Sequence, residues 1–225
     1  MALALAGIEA RIATAADLNS RTREEISLIV VSKNKPARVA KSLFDLGVRD
    51  FGENKDQEAK PKSLELLELT HQEAANWHFI GQLQSNKVKS MLSYAASLHS
   101  LDRESLLKEL TKQLGTAGRT LDVFIELNLT QDEGRGGIEP KNLLSFAESV
   151  LEVSALKLKG VMSVAPLDVD ANLAFEVTRL ASEQLKTLDP EAKFISAGMS
   201  HDFEAAIAHG ATHLRIGSAI TRFAD

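Results

Sequence analysis

Eight short β-like runs, each followed by a helical stretch or by the chain's end, constrain this sequence more than any other feature. Ile26–Ser32 leads to a helix predicted from about Ala37 to Leu46, which Gly47 stops. Asp50–Asn54 leads to a long polar helix reaching about Leu69. Trp77–Gly81 precedes a helix from Ser85 to about Leu92, and Ser97–Leu101 precedes Arg103–Leu114, with Asp102 as the expected N-cap. Leu121–Asn128 is the cleanest strand pattern, and its helix, Pro140–Leu151, opens with proline. Leu156–Val164, Lys193–Ala197 and His213–Gly217 complete the strands, with helices over about Asp170–Leu188 and His201–His209. Alternation of this regularity implies a parallel sheet. Eight units predict an α/β fold, a single (β/α)8 TIM barrel in one domain over residues 1–225, close to the ~250 residues typical of that fold. A doubly wound open sheet is the alternative, but its glycine-rich turn after the first strand is absent. Ahead of the barrel, Leu3, Leu5, Ile8 and Ile12 form one face of an extra N-terminal helix. Met1–Gly7 lacks the basic segment of a signal peptide.

Composition removes several function classes. There is no cysteine, so disulfides, thiolate nucleophiles and thiolate metal sites are excluded, which fits a reducing compartment. No apolar run is long enough to span a bilayer. A net charge of −5 argues against a nucleic-acid partner held by bulk charge. The six histidines show no metal-ligand spacing, and His78, inside the third strand, reads as a packed core or rim residue.

The carboxyl ends of the predicted strands carry Lys33, Glu53 and Asn54, Gly81 and Gln82, Ser100, Glu126 and Asn128, Met162 and Ser163, Gly198 and Ser200, and Arg215 and Gly217. In a barrel that end is the functional face. Side-chain alternation puts Ile29, Val31 and Lys33 on one face of the first strand. If that face lines the bore, Lys33 enters the rim pocket, and burial lowers its pKa from about 10.4. A neutral amine there forms a Schiff base with an aldehyde. Lys35, just before Pro36, is the rival, and reads more simply as a solvated lysine at a helix entrance. Gly198 permits close backbone approach, and Ser200 is the expected N-cap beside unpaired N–H groups of the kind that bind phosphate. Asp202 and Glu204 in the first turn oppose that reading, and an ordinary capped helix competes with it. Arg215 needs an acceptor, either a carboxylate inside the barrel or a ligand. Gly217 and Ser218 offer an N–H and a hydroxyl to complete a phosphate cup.

In order, the chain shows Val30-Val31-Ser32-Lys33 with Lys35-Pro36, Phe51-Gly52-Glu53-Asn54 with Gln57-Glu58, and Trp77-His78-Phe79-Ile80-Gly81-Gln82-Leu83-Gln84-Ser85-Asn86-Lys87. Gly198-Met199-Ser200 with Asp202-Phe203-Glu204, then Arg215-Ile216-Gly217, follow. Together these closely resemble the pyridoxal 5′-phosphate homeostasis proteins, once called proline-synthetase co-transcribed proteins, from about Ile26 to Gly217. The resemblance implies a barrel of the alanine racemase N-terminal domain type, PLP fold type III, with pyridoxal 5′-phosphate (PLP) held covalently as an aldimine on Lys33. It further implies Arg215 beside the pyridine nitrogen, Ser200, Gly217 and Ser218 at the phosphate, and Asn54 and Met162 at the pocket. The implied role is vitamin B6 homeostasis by a cytoplasmic monomer without established catalysis, which buffers the cofactor or delivers it to PLP-dependent apo-enzymes.

Two stretches depart from the family pattern. After Gly217 the family continues with a small residue and then Phe-Gly, whereas this chain reads Ser218-Ala219-Ile220-Thr221-Arg222-Phe223. The loop Thr130–Gly137 holds Glu133, Arg135 and three glycines where the family often has a lysine, and reads as a mobile rim loop. Arginine stays protonated, so it cannot give a pyridine nitrogen its proton, and the ring becomes a poorer electron sink. A racemase also needs a second base, which alanine racemases supply as a tyrosine across a dimer with an added β-domain. The only tyrosine, Tyr94, is expected away from the rim, and no room for such a domain is expected after Gly217. The alternative is a barrel enzyme using the Schiff-base lysine, of racemase or aldolase type.

Overall fold

The structure is a computed structural model describing residues 1–130, 132 and 134–222; Glu133 and Phe223 lie outside the described residues. Eight parallel strands form a closed barrel in chain order: β1 (Ser27–Val31), β2 (Asp50–Glu53), β3 (Asn76–Phe79), β4 (Ala95–Leu101), β5 (Leu121–Glu126), β6 (Leu156–Met162), β7 (Phe194–Ser196) and β8 (His213–Ile216). β8 pairs back onto β1, with Ile29 opposite Arg215. The helices are α1 (Ala2–Leu18), α2 (Ala37–Asp45), α3 (Asp56–Leu69), α4 (Val88–Met91), α5 (Glu104–Ala117), α6 (Leu143–Leu151), α7 (Ala171–Leu188), α8 (Phe203–Ala208) and α9 (Ser218–Thr221). No helix among the described residues is long and apolar enough to cross a membrane.

Strand alternation divides the buried residues in two. Val30, Phe51, Trp77, Phe79, Leu98, Val123 and Val161 join the apolar helix faces in one core. Ile29, Val31 and Gly52 belong to the bore, since a Cβ on Gly52 would lie 3.1 Å from Ile29 Cγ2 and 3.2 Å from Val31 Cγ2. The middle of the bore is aromatic: His99 stacks on Phe124 at 4.3 Å, and His213 meets Phe124 at 5.2 Å and Phe194 at 5.5 Å. Gly160 admits β7 at this level. Its φ is +152°, and a Cβ there would lie 1.8 Å from the Phe194 carbonyl oxygen.

Three local expectations are corrected. Leu3 is 91% exposed, and the buried face of α1 is Leu5, Ile8, Ile12, Ala15 and Ala16, because Arg11 anchors the helix to α8 through Glu204 and the Phe203 ring. Asp102 does not cap α5: it is buried at the end of β4, where its carboxylate takes Arg103 Nη1 at 2.5 Å, and Arg103 occupies the cap position. The helix expected over Ser85–Leu92 is split, with a 3-10 turn at Ser85–Lys87 ahead of the short α4.

The bore histidines are held neutral. Burial is the main cause for both, pushing His99 well below its usual 6.5 and His213 to about 4. A base with a depressed folded pKa contributes stability that is complete above the unfolded pKa and is lost as the pH falls below it. His213→Phe keeps the aromatic packing without the titration. The stability difference between wild type and this variant is expected to move toward the variant by up to about 3 kcal/mol between pH 6.5 and 4, read as urea midpoints. A pH-independent difference would show that His213 is not held neutral.

Candidate functional site

At the carboxyl rim, Arg215 is the most constrained charge. It sits on the bore side of β8 at 4% exposure, donating from Nη1 to Ser196 Oγ at 2.7 Å and from Nη2 to the Ser163 carbonyl at 2.8 Å. Burial lowers its pKa to about 10, against the opposing pull of Glu126 and Asp202, so it remains a cation at neutral pH. The acceptors on these two bonds are a hydroxyl and a carbonyl rather than the carboxylate weighed from sequence.

Glu126 closes β5 opposite Met162, the last residue of β6, which is buried. Burial and the neighbouring Asp102 carboxylate push Glu126 up to about 7, with Arg215 and Arg135 pulling the other way. Its Oε2 is buried without a hydrogen-bond partner. Asp102 is itself raised by burial. The exposed Arg135 lies on a loop tied down by Asn128, whose amide donates to the Asp132 and Arg135 carbonyls and whose oxygen accepts from Thr130. The glycines that suggested mobility serve close packing here: a Cβ on Gly137 would lie 2.5 Å from Asn128 N.

Ser200 is not the cap of the following helix. α8 starts at Phe203, Asp202 occupies the cap position, and the Asp202 carboxylate accepts from Met199 N at 2.6 Å. Freed from capping, the Ser200 hydroxyl lies 3.2 Å from Ser218 Oγ and 3.3 Å from Ala219 N. Here α9 begins directly after Gly217, so the altered tail is helical through Thr221. A cavity of about 250 Å³ opens at this point, lined by Arg11, Ser200, His201, Ser218, Ala219 and Arg222. Gly217 lies against β1, where a Cβ would meet the Val31 carbonyl at 3.1 Å.

Lys33 lies just beyond β1 in a turn closed by Lys35 N–H donating to Ser32 O at 3.1 Å, with Asn34 at φ +59°. It is exposed, while Lys35 is half-buried. The expected desolvation of Lys33 is therefore not provided by the protein, because the chain leaves the strand one residue early. Beneath the turn, Glu53 faces α3 rather than the rim. It accepts from Lys62 Nζ at 2.5 Å and Ser32 Oγ at 2.7 Å, and Lys62 also donates to Ser32 O at 2.7 Å. Asn54 follows β2 and packs against Gly81, where a Cβ would lie 2.3 Å from the Asn54 carbonyl oxygen. The structure thus brings Ser200 and Ser218 to one cup, sets Gly217 next to it at the start of α9, and places Arg215 and Met162 at the bore's end. Sequence reasoning missed Arg11 and Arg222 in the cup and the Asp102–Glu126 juxtaposition. Only the shared parity of Phe51 and Glu53 hinted that Glu53 turns outward.

Fold and rim define a barrel of the alanine racemase N-terminal domain class, and the family model of that name matches residues 6–224. The chain belongs to the pyridoxal phosphate homeostasis protein family. It is 35% identical to the protein of that name from Mycobacterium tuberculosis, over 96% of this chain and 90% of the relative. It is 38% identical to the Escherichia coli one, over 96% and 93%. PipY of Synechococcus elongatus, solved with PLP bound, superposes with a TM-score of 0.81 at 32% identity, covering 93% of this chain and 99% of PipY. Alanine racemase from Corynebacterium glutamicum shares the fold, with a TM-score of 0.70 at 13% identity, over 97% of this chain and 60% of the racemase.

An acid with a raised folded pKa favours the protonated state, so its destabilising effect grows as the pH rises from 4.5 through about 7. Glu126→Gln is expected to raise the stability of cofactor-free protein at pH 8 by about 1–3 kcal/mol relative to its effect at pH 5, measured by urea unfolding. Equal effects at both pH values would place Glu126 in the ordinary carboxylate range.

Proposed function

We propose that this protein binds pyridoxal 5′-phosphate at the barrel rim and serves intracellular PLP homeostasis, buffering the cofactor or passing it to PLP-dependent apo-enzymes. The observation that carries this is the cup at Ser200. Ser200, Ser218, Arg11 and Arg222 line a small cavity: Ser200 Oγ accepts there from the Ser218 hydroxyl and the Ala219 N–H, and Arg222 adds positive charge beside Arg11, which is also bound to Glu204, a polar and cationic lining suited to a phosphate. Membership of a family whose relatives carry this name, and PLP bound to PipY, support the same reading. Ser200, Gly217, Ser218 and Ala219 would hold the phosphate. Arg215 would face the pyridine nitrogen, Asn54 and Met162 would line the pocket, and Lys33 would carry the aldehyde carbon as a Schiff base. When bound, pyridoxal phosphate supplies an electrophilic aldehyde and an electron-accepting ring.

The residues favour holding over turnover. Arg215, a cation at neutral pH, donates a hydrogen bond without surrendering a proton. Tyr94 lines a separate cavity with Leu66, Ala75 and Trp77, and its hydroxyl lies beside Asp56 at the start of α3 rather than in the cup, which does not favour it as a second base. Arg11, Ser218 and Arg222 are exposed, so the cup opens to solvent and exchange is unobstructed. The reading includes a cytoplasmic monomer with one domain over residues 1–225. The alternative, a racemase-like or aldolase-like Schiff-base enzyme, is favoured by one observation, the Glu126 carboxyl poised near 7 beside Arg215.

Purified protein is expected to be yellow, or to turn yellow with added PLP, and borohydride should fix the cofactor to Lys33. Lys33→Ala is expected to abolish the Schiff-base absorbance and Lys35→Ala to retain it. Protein that stays colourless after incubation with PLP would overturn the reading, and label on Lys35 would overturn the assignment of Lys33. Racemised L-alanine, or cleavage of a β-hydroxy amino acid, abolished in Glu126→Gln, would establish the enzymatic alternative.

A further inference from the structure

Five polar side chains from five strands meet end to end inside the bore, between a guanidinium that can only donate and a carboxylate that, ionised, can only accept. Arg215 donates from Nη1 to Ser196 Oγ at 2.7 Å, and Ser196 Oγ lies 2.8 Å from His99 Nδ1. His99 Nε2 faces His78 Nδ1 at 3.0 Å and Ser97 Oγ at 3.1 Å, and Ser97 Oγ lies 2.7 Å from His78 Nδ1. The order is set from the far end. Asp50 Oδ1 accepts from His78 Nε2 at 3.0 Å, so a neutral His78 accepts at Nδ1. His99 Nε2 then carries the proton, because two lone pairs would otherwise face each other at 3.0 Å, and His99 Nδ1 accepts from the Ser196 hydroxyl. Asn76 Nδ2 donates to the same oxygen at 3.1 Å. The run starts on a guanidinium and ends on a carboxylate, which is the polarity each end requires. It links β4 to β7 across the bore, and it connects the rim to the amino mouth, where the Asp50 side chain is 35% exposed.

We propose that Asp50, His78, His99 and Ser196 are a positioning chain for Arg215, which fixes one tautomer at each imidazole and so directs the guanidinium toward a ligand at the rim. The role of Arg215 toward PLP rests on the functional reading above, whereas the chain itself does not. Its members act through Arg215 and do not touch the cofactor. Neutral imidazoles are necessary for this order. At His99, burial enforces the neutral form, reinforced by the groups around it, His78, His213 and Arg215. Burial works against the charge on Asp50, yet its bonds to His78 and Asn76 keep its carboxyl below the usual range.

Long-range 1H–15N spectra of labelled protein without added cofactor test the chain directly. Both His78 and His99 are expected as Nε2–H tautomers at pH 7. Asp50→Ala, at the partly exposed mouth, should shift the His78, His99 and Arg215 guanidinium signals and weaken PLP binding about three- to tenfold, read by absorbance titration. Asp50→Asn keeps an acceptor oxygen and should restore both. A proton on His99 Nδ1 in the wild type would overturn the chain. Imidazole shifts in Asp50→Ala without any change at Arg215 or in PLP affinity would also overturn it, because the network would then be structural only. If the wild type binds no PLP, the functional reading fails, and the Arg215 signals alone decide the chain.

Discussion

A guanidinium buried inside a barrel stays there only if its N–H groups have acceptors, and much of this bore is arranged to supply them to Arg215. Ser196 and the Ser163 carbonyl take two of its bonds directly. Behind Ser196 stand two imidazoles and Asp50, so these polar groups of the bore form one connected set. Burial acts on its neighbours too: it is the main cause that lowers His99 and His213, with Arg215 adding to it, and it pushes Glu126 up to about 7 against the pull of Arg215. The guanidinium remains charged, which makes it a hydrogen-bond donor to a ligand and not an acid.

The opposite side of the rim is built differently. Lys33 is held by its backbone, through a turn whose first residue, Ser32, is clamped by Glu53 and Lys62. The side chain is left in water, while beneath the turn Ser32 and the Glu53–Lys62 ion pair are buried. An exposed lysine on a turn anchored from beneath fits the Schiff-base role proposed for it. Desolvation of the amine would have to come from the ligand itself. The exposed Arg11 and Arg222 at the Ser200 cavity fit the same open arrangement.

The eight-unit alternation was legible because a parallel barrel imposes short apolar runs at regular spacing, and all eight strands lie within a few residues of the expected spans. Strand parity put Ile29 and Val31 in the bore; β1 ends at Val31, so Lys33 lies two residues past its end, exposed in the turn beyond it. Ser200 and Asp102 were misjudged as caps for a common reason. N-cap preference describes a local competition for free N–H groups, and at a barrel rim a neighbouring loop or an adjacent arginine wins that competition.

By itself the sequence determined the barrel, its rim and the residue types gathered there, because strand period and turn chemistry are local properties that each segment expresses alone. Family motifs added the identity of the expected ligand. Tertiary structure alone decided that Arg11 and Arg222 join Ser200 and Ser218 at one cavity from the two ends of the chain. It alone decided that Glu53 turns outward to α3, and that Asp50, His78, His99, Ser196 and Arg215 form one directed line. Those five residues are spread over 166 positions, from 50 to 215. Hydrogen-bond direction depends on which atoms face each other across the bore, and no spacing along the chain encodes that until the barrel closes.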